Sequence, residues 1–256
     1  MPLIAEGAEG PAYAALSFRG PPGGRPYVVT NMVSSADGKV AVEGDERGLG
    51  SLTDQRLMRE LRLHADIVLN GAGTLRVSGS STRLGDPDLE ERRVRSGRSS
   101  APTAAVLSAS GRLPLDRAFF TSSDFSAIVY LTADAPADRR LAIEATGRPV
   151  HLVPTDDPLP AMLSHMSEEL GAALLLVEGG PGLNGNFFDQ GLIDEYFLTL
   201  GSVLVGGSGI PAAIEGRRDP ALERLSSLDL ISAYANTETS ELYLRYRVRG
   251  RKSVHT

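Results

Sequence analysis

The sequence predicts an α/β protein: a mixed, mostly parallel sheet with helices on both faces, ending in a C-terminal antiparallel hairpin. Three observations carry this. Short apolar and β-branched runs alternate with amphipathic segments through most of the 256 residues, the pattern of βα units. Two apolar runs stop in glycine clusters, "GAGT" from Gly71 and "EGGPGLNG" from Glu178. The last two runs alternate apolar with polar residues, as an antiparallel pair with one solvated face does.

In chain order, residues 1–25 are rich in Gly, Pro and Ala and read as an irregular arm. "YVVTNMVSS", from Tyr27, is a β-branched strand followed by an "ADGKV" turn. "SLTDQRLMRELRLHA" is amphipathic, with Leu57, Leu61 and His64 on one face and Thr53 as the expected N-cap. "DIVLNGAGT" is a buried strand ending in glycines, and the polar segment from Val77 to Ser100 reads as a long surface loop. "TAAVLSAS", "AIVYLTA" and "PVHLVP" are strands, with a short helix at "ADRRLAIEATG". "LPAMLSHMSEELG" is a helix leading into the strand "ALLLVEGG". "NGNFFDQGLI" gives a short helix, "DEYFLTLGSVLVGG" begins as a strand, and "DLISAYANT" with "ELYLRYRV" forms the hairpin. No linker separates two cores, so one domain over 26–250 and a flexible tail at 251–256 are expected.

Composition excludes several classes. A net charge of −6 argues against a nucleic-acid footprint. The absence of cysteine removes disulfides, iron–sulfur clusters, thiol catalysis and thiolate zinc sites. His64, His151, His165 and His255 lack metal-ligand spacing, so no metal is expected. There is no nucleophile elbow, no signal-peptide pattern and no run near the roughly 20 apolar residues that span a bilayer. The expectation is a cytoplasmic protein without membrane partners.

The glycine clusters point to an anionic ligand. Glycine lets backbone approach a ligand closely, and open amides at a helix start hold phosphate. Ligands in open α/β sheets bind beyond the carboxyl ends of strands. Gly180, Gly182 and Gly185 are therefore candidates for a pyrophosphate cradle, although caps and tight turns explain glycines equally well. The spacing is neither a Rossmann fingerprint nor a P-loop.

Four segments, "NMVSSADGKV", "LRLHADIVLNGAGT", "LLVEGGPGLNGNFFDQGLIDEYFLTL" and "VLVGG", together resemble the pyrimidine reductase of riboflavin biosynthesis, whose fold is related to dihydrofolate reductase. They occur in that family's order. The resemblance implies a three-layer α/β/α fold, commonly a homodimer, and reduction of 5-amino-6-(5-phosphoribosylamino)uracil by NADPH, with hydride delivered to C1′ of the ring-opened sugar.

Carried over residue by residue, Gly179, Gly180, Pro181, Gly182, Leu183, Asn184, Gly185 and Asn186 match the loop that holds the NADPH phosphates. Gly73 and Thr74 match a cofactor contact, and Ser108 or Ser110 is placed to meet a 2′-phosphate. Glu178 matches a contact to the aminouracil and Arg62 a substrate-binding arginine; Arg83 and Lys39 are further candidates. Asp37 is expected to orient substrate and to assist proton delivery to the imine nitrogen, work that needs a raised pKa. One departure stands out. Where the family continues with an acidic segment and an arginine, this chain reads "LRVSGSSTRLGDPDL", with Ser78 at the first acid's position. The zinc deaminase domain that often accompanies the family needs cysteine ligands and has no counterpart here. Rival readings are a pterin reductase of the same fold, a stand-alone reductase of another substrate, and a non-catalytic nucleotide-binding regulator.

Overall fold

The structure is a computed structural model describing residues 3–79, 81–216 and 225–251. These group into two compact units. One takes the N-terminal residues through Tyr13, Val28–Met58 and the chain from Gly179; the other takes Ala14–Tyr27 and Arg59–Glu178.

In the first unit, β1 (Leu3–Gly7), β2 (Tyr27–Ser34), β8 (Glu195–Leu200), β9 (Ser226–Asn236) and β10 (Leu242–Arg251) run in the order β1-β9-β10-β8-β2. β10 is antiparallel to both β9 and β8, while β1–β9 and β2–β8 are parallel. In the second unit, β3 (Ile67–Gly71), β4 (Thr103–Ser108), β5 (Ala127–Thr132), β6 (Val150–Val153) and β7 (Leu174–Val177) run β7-β3-β4-β5-β6. Every pair there is parallel. The fold class is the expected one: three α/β/α layers around a mixed, mostly parallel sheet, with a C-terminal antiparallel hairpin.

The parallel strands are near-continuous apolar runs because both faces are covered. All six positions of β5 are buried. Val106, Phe119, Phe120, Val129, Leu131 and Ile143 build a core of the second unit from β4, β5, α4 (Ala118–Thr121) and α5 (Ala137–Glu144). Helix α1 (Leu52–Arg62) buries Leu57 and Leu61, as its spacing predicts. No helix among the described residues is long and apolar enough to cross a membrane.

Four local expectations are corrected. The N-terminal stretch is not wholly irregular: Leu3–Gly7 pairs in parallel with Ser232–Asn236, satisfying backbone groups that composition alone leaves unassigned. The cap of α1 is Ser51, not Thr53, since Ser51 Oγ accepts the Thr53 and Asp54 amides at 3.1 and 3.4 Å. The polar segment after "GAGT" is not one long loop. It holds the end of α2 (Ala72–Ser78) and all of α3 (Pro87–Arg95), where Asp86 caps the Asp88 and Leu89 amides and Pro87 opens the helix. Fourth, the helix after the second glycine cluster begins at Pro181 rather than at Asn184: α7 is Pro181–Asp189. The expected tail, apart from Arg251, lies outside the described residues.

Candidate functional site

In the second unit, parallel register sets three strand ends side by side. Leu69 faces Val177, Gly71 faces Leu107, and the Glu178 amide donates to Leu69 O at 3.1 Å. Glu178, Gly71 and Ser108 therefore stand at adjacent carboxyl ends, where open α/β sheets bind ligands. Arg62, in the last turn of α1, grips Glu178 with two parallel hydrogen bonds: Nε to Oε1 at 2.6 Å and Nη2 to Oε2 at 2.7 Å. Its Nη1 donates to Arg83 O at 3.0 Å. The two side chains are only 11% and 9% exposed.

The other expected residues of this unit fare differently. Arg83 is turned to Asp124 (Nη2 to Oδ1, 2.8 Å) and Ser122, over the Phe125 ring. Its guanidinium is thus committed to an acid. Ser108 is buried and accepts the Gly111 amide at 3.1 Å, which closes the loop after β4; Ser110 accepts the Arg112 amide. Gly73 and Thr74 lie in the first turn of α2, Gly73 exposed and Thr74 half-buried. Ser78 spends its hydroxyl on Thr74 O. The residue that sequence reasoning missed is Arg93. Wholly buried on α3, it donates to the carbonyls of Arg62, Leu63 and Ala65 at 2.9, 3.0 and 2.7 Å and so ties down the end of α1. Burial lowers its pKa to about 10. A leucine at 89 and an arginine at 93 one turn on, behind Asp86-Pro87, were the available signal.

In the first unit, β2 and β8 end together, Ser34 facing Leu200. Asp37 accepts from Ser35 Oγ at 2.6 Å and from the Val205 and Gly206 amides at 3.0 and 2.8 Å. Those bonds, the serine's first, hold its carboxyl well below the usual carboxylate range. Placed this way, the Asp37 carboxylate anchors the loop at residues 205 and 206. Lys39 is half-buried, its backbone bonded to Ser35 on both sides.

The glycine segment divides by task. Gly179 has φ +86, and a Cβ there would lie 3.1 Å from Met32 Sδ. Gly180 is the N-cap of α7, with no side chain capping it. A Cβ on Gly182 would meet nothing within 4 Å. A Cβ on Gly185 would strike Glu215 O at 2.0 Å, so that glycine serves the packing of residues 213–216. Asn184 is buried, donates Nδ2 to Ala213 O at 3.0 Å, and leaves Oδ1 without a partner. Leu183 is buried under the turn, while Pro181 and Asn186 are half-buried. An uncapped helix start and open space over Gly182 leave room for a phosphate-bearing cofactor at this turn.

Residues 26–235 match the RibD C-terminal domain family. A 2,5-diamino-6-ribosylamino-4(3H)-pyrimidinone 5′-phosphate reductase of Archaeoglobus fulgidus is 26% identical over 193 residues, covering 75% of this chain and 87% of that protein. The riboflavin biosynthesis protein RibD of Bacillus amyloliquefaciens is 27% identical over 195 residues, 75% of this chain but 50% of its own length. Among solved structures, a pyrimidine reductase-like protein of Corynebacterium diphtheriae superposes with a TM-score of 0.79 at 21% identity, covering 88% of this chain and 92% of that one.

Proposed function

The chain belongs to the RibD C-terminal domain family, and on that premise we propose that it is an NADPH-dependent reductase converting the ribosyl group of 5-amino-6-(5-phosphoribosylamino)uracil to ribityl. The observation that carries the reading is a clamped carboxylate, Glu178, at a strand's carboxyl end, followed at once by the uncapped, glycine-opened start of α7. NADPH, when bound, supplies the hydride for C1′ of the ring-opened sugar. The amides at the start of α7, with Gly179 and Gly180 before them, hold its phosphates. Glu178 accepts hydrogen bonds from the amino and ring N–H groups of the pyrimidine. Asp37 keeps residues 205 and 206 in place through their amides and orients the substrate for delivery of a proton to the imine nitrogen. A homodimer in solution belongs to the same reading and is checked by sedimentation.

One observation favours a second substrate. The Archaeoglobus fulgidus relative, which this chain covers over 87% of its length, is named for the 2,5-diaminopyrimidinone rather than the uracil. The test is to supply each pyrimidine ribotide with NADPH and follow loss of nicotinamide absorbance. Turnover of one or both is expected. NADPH binding with no turnover of either would leave a nucleotide-binding protein without this activity.

A further inference from the structure

We propose that Arg62 is a positioning residue for Glu178 and does not itself bind the substrate's phosphate. The inference rests on the reading of Glu178 as the pyrimidine-binding carboxylate. An arginine that recognises a phosphate presents the flat edge of its guanidinium to the ligand. Here the Nε–Nη2 edge is already laid along the Glu178 carboxylate, at 2.6 and 2.7 Å, with both side chains about nine-tenths buried.

The remaining nitrogen is also engaged, Nη1 donating to Arg83 O at 3.0 Å. Behind it, Arg93 holds the Arg62 carbonyl and those of Leu63 and Ala65, so the backbone that carries Arg62 is fixed as well. A carboxylate has about four lone-pair sites, and the fork takes one on each oxygen. The other two remain for substrate N–H groups, in a plane that Arg62 sets. The fork therefore fixes how the pyrimidine lies. The charge pair is closed, and a phosphate would have to displace a nearly buried carboxylate to use it. Arg83, the other arginine suggested for phosphate, also pairs with an acid, Asp124, but that pair is about half exposed and is far easier to open.

The two roles separate with a ligand that lacks ribose and phosphate. Affinity for free 5,6-diaminouracil is measured by calorimetry in wild type, Arg62→Lys, Arg62→Leu, Glu178→Gln and the Arg62→Leu/Glu178→Gln pair. A positioning role predicts that each single change weakens the free base about tenfold, the loss of roughly one good hydrogen bond. It also predicts that the double variant is no worse than Glu178→Gln alone. With the ribotide, kcat should fall and KM should rise. Lysine keeps the charge and loses the fork, so Arg62→Lys should not rescue. Wild-type affinity for the base in Arg62→Lys, or a loss confined to phosphorylated ligands, overturns the proposal. Crystal structures of Arg62→Lys give a readout independent of any ligand. A Glu178 carboxylate that has turned supports the clamp even if wild type binds no pyrimidine, in which case only the substrate reading fails. A carboxylate that has not moved overturns the clamp.

Discussion

Asp37 shows how geometry decides among the roles open to a carboxylate. Read as a sequence, an Asp-Gly pair after a strand is either a turn or a catalytic acid. In the structure two backbone amides and a serine hydroxyl donate to it, so its carboxylate anchors the loop at residues 205 and 206. Asp37→Asn should therefore cost most of the turnover by loosening residues 205 and 206 while NADPH affinity, measured by fluorescence titration, stays near wild type; unchanged turnover would remove Asp37 from the site. Asp54 shows the opposite shift. Burial first, then the nearby Glu241 and Glu46, outweigh a hydrogen bond from Thr199 and raise its pKa from 3.8 to about 6. The folded value lies above the unfolded one, so the stabilisation is fully present below about pH 4 and is lost as pH rises through about 6. A shift of this size is worth on the order of 2 kcal/mol after discounting for partial exposure. Asp54→Asn should flatten that part of the stability profile, read by urea denaturation between pH 4 and 7. A slope identical to wild type would show that Asp54 does not titrate in this window.

At the scale of elements, α7 separates glycines that serve the fold from those left for a ligand. Gly185 lies against the Glu215 carbonyl, where a methyl group would sit 2.0 Å from oxygen. Gly185→Ala must push backbone aside and should destabilise by about 2–3 kcal/mol or more. Gly182 has open space, and alanine is the better helix former, so Gly182→Ala should leave stability unchanged or raise it by up to about 1 kcal/mol. The methyl group would nonetheless crowd the uncapped helix start. A several-fold loss of NADPH affinity with unchanged melting temperature is expected; unchanged affinity would move the phosphates away from this turn. On β6 and α6 (Pro158–Glu168) two histidines pack ring against ring. His151 and His165 stack with ring centroids 3.8 Å apart, and Tyr130 OH bonds His165 Nδ1 at 2.9 Å. Desolvation, then the neighbouring His165, lowers the pKa of His151 from its ordinary 6.5, against a smaller opposing pull from Glu169. A depressed folded value means the contribution is present above pH 6.5 and is lost as pH falls through the folded pKa. His151→Gln should blunt that acid-side loss in denaturation curves, and an unaltered acid limb would exclude the pair as its source.

For the molecule as a whole, the sequence carried the alternation of elements and the strand ends because burial on both faces writes itself as continuous apolar runs, as in β5 and β7. It did not carry β1, whose residues are paired by a distant strand. Nor did it carry α3, where a buried arginine stands in a polar segment: charge in a sequence reads as surface until its partners are known. Glu178 was legible, but its bond to Arg62 joins positions 116 residues apart and no local pattern encodes it. Neither compact unit is a continuous stretch of chain, so the cofactor's effect is best measured on the intact protein. A ligand that binds only the folded state stabilises it by about 2.7 kcal/mol at 100 times its Kd. For a chain of this size, at about 2–4 °C for each kcal/mol, that is a rise of roughly 5–11 °C in melting temperature. NADPH at that excess should produce it, and Gly182→Ala should reduce it at the same concentration by the amount its weaker affinity dictates. If NADPH leaves the melting temperature of wild type unmoved, the start of α7 is not a cofactor site and the reductase reading loses its support.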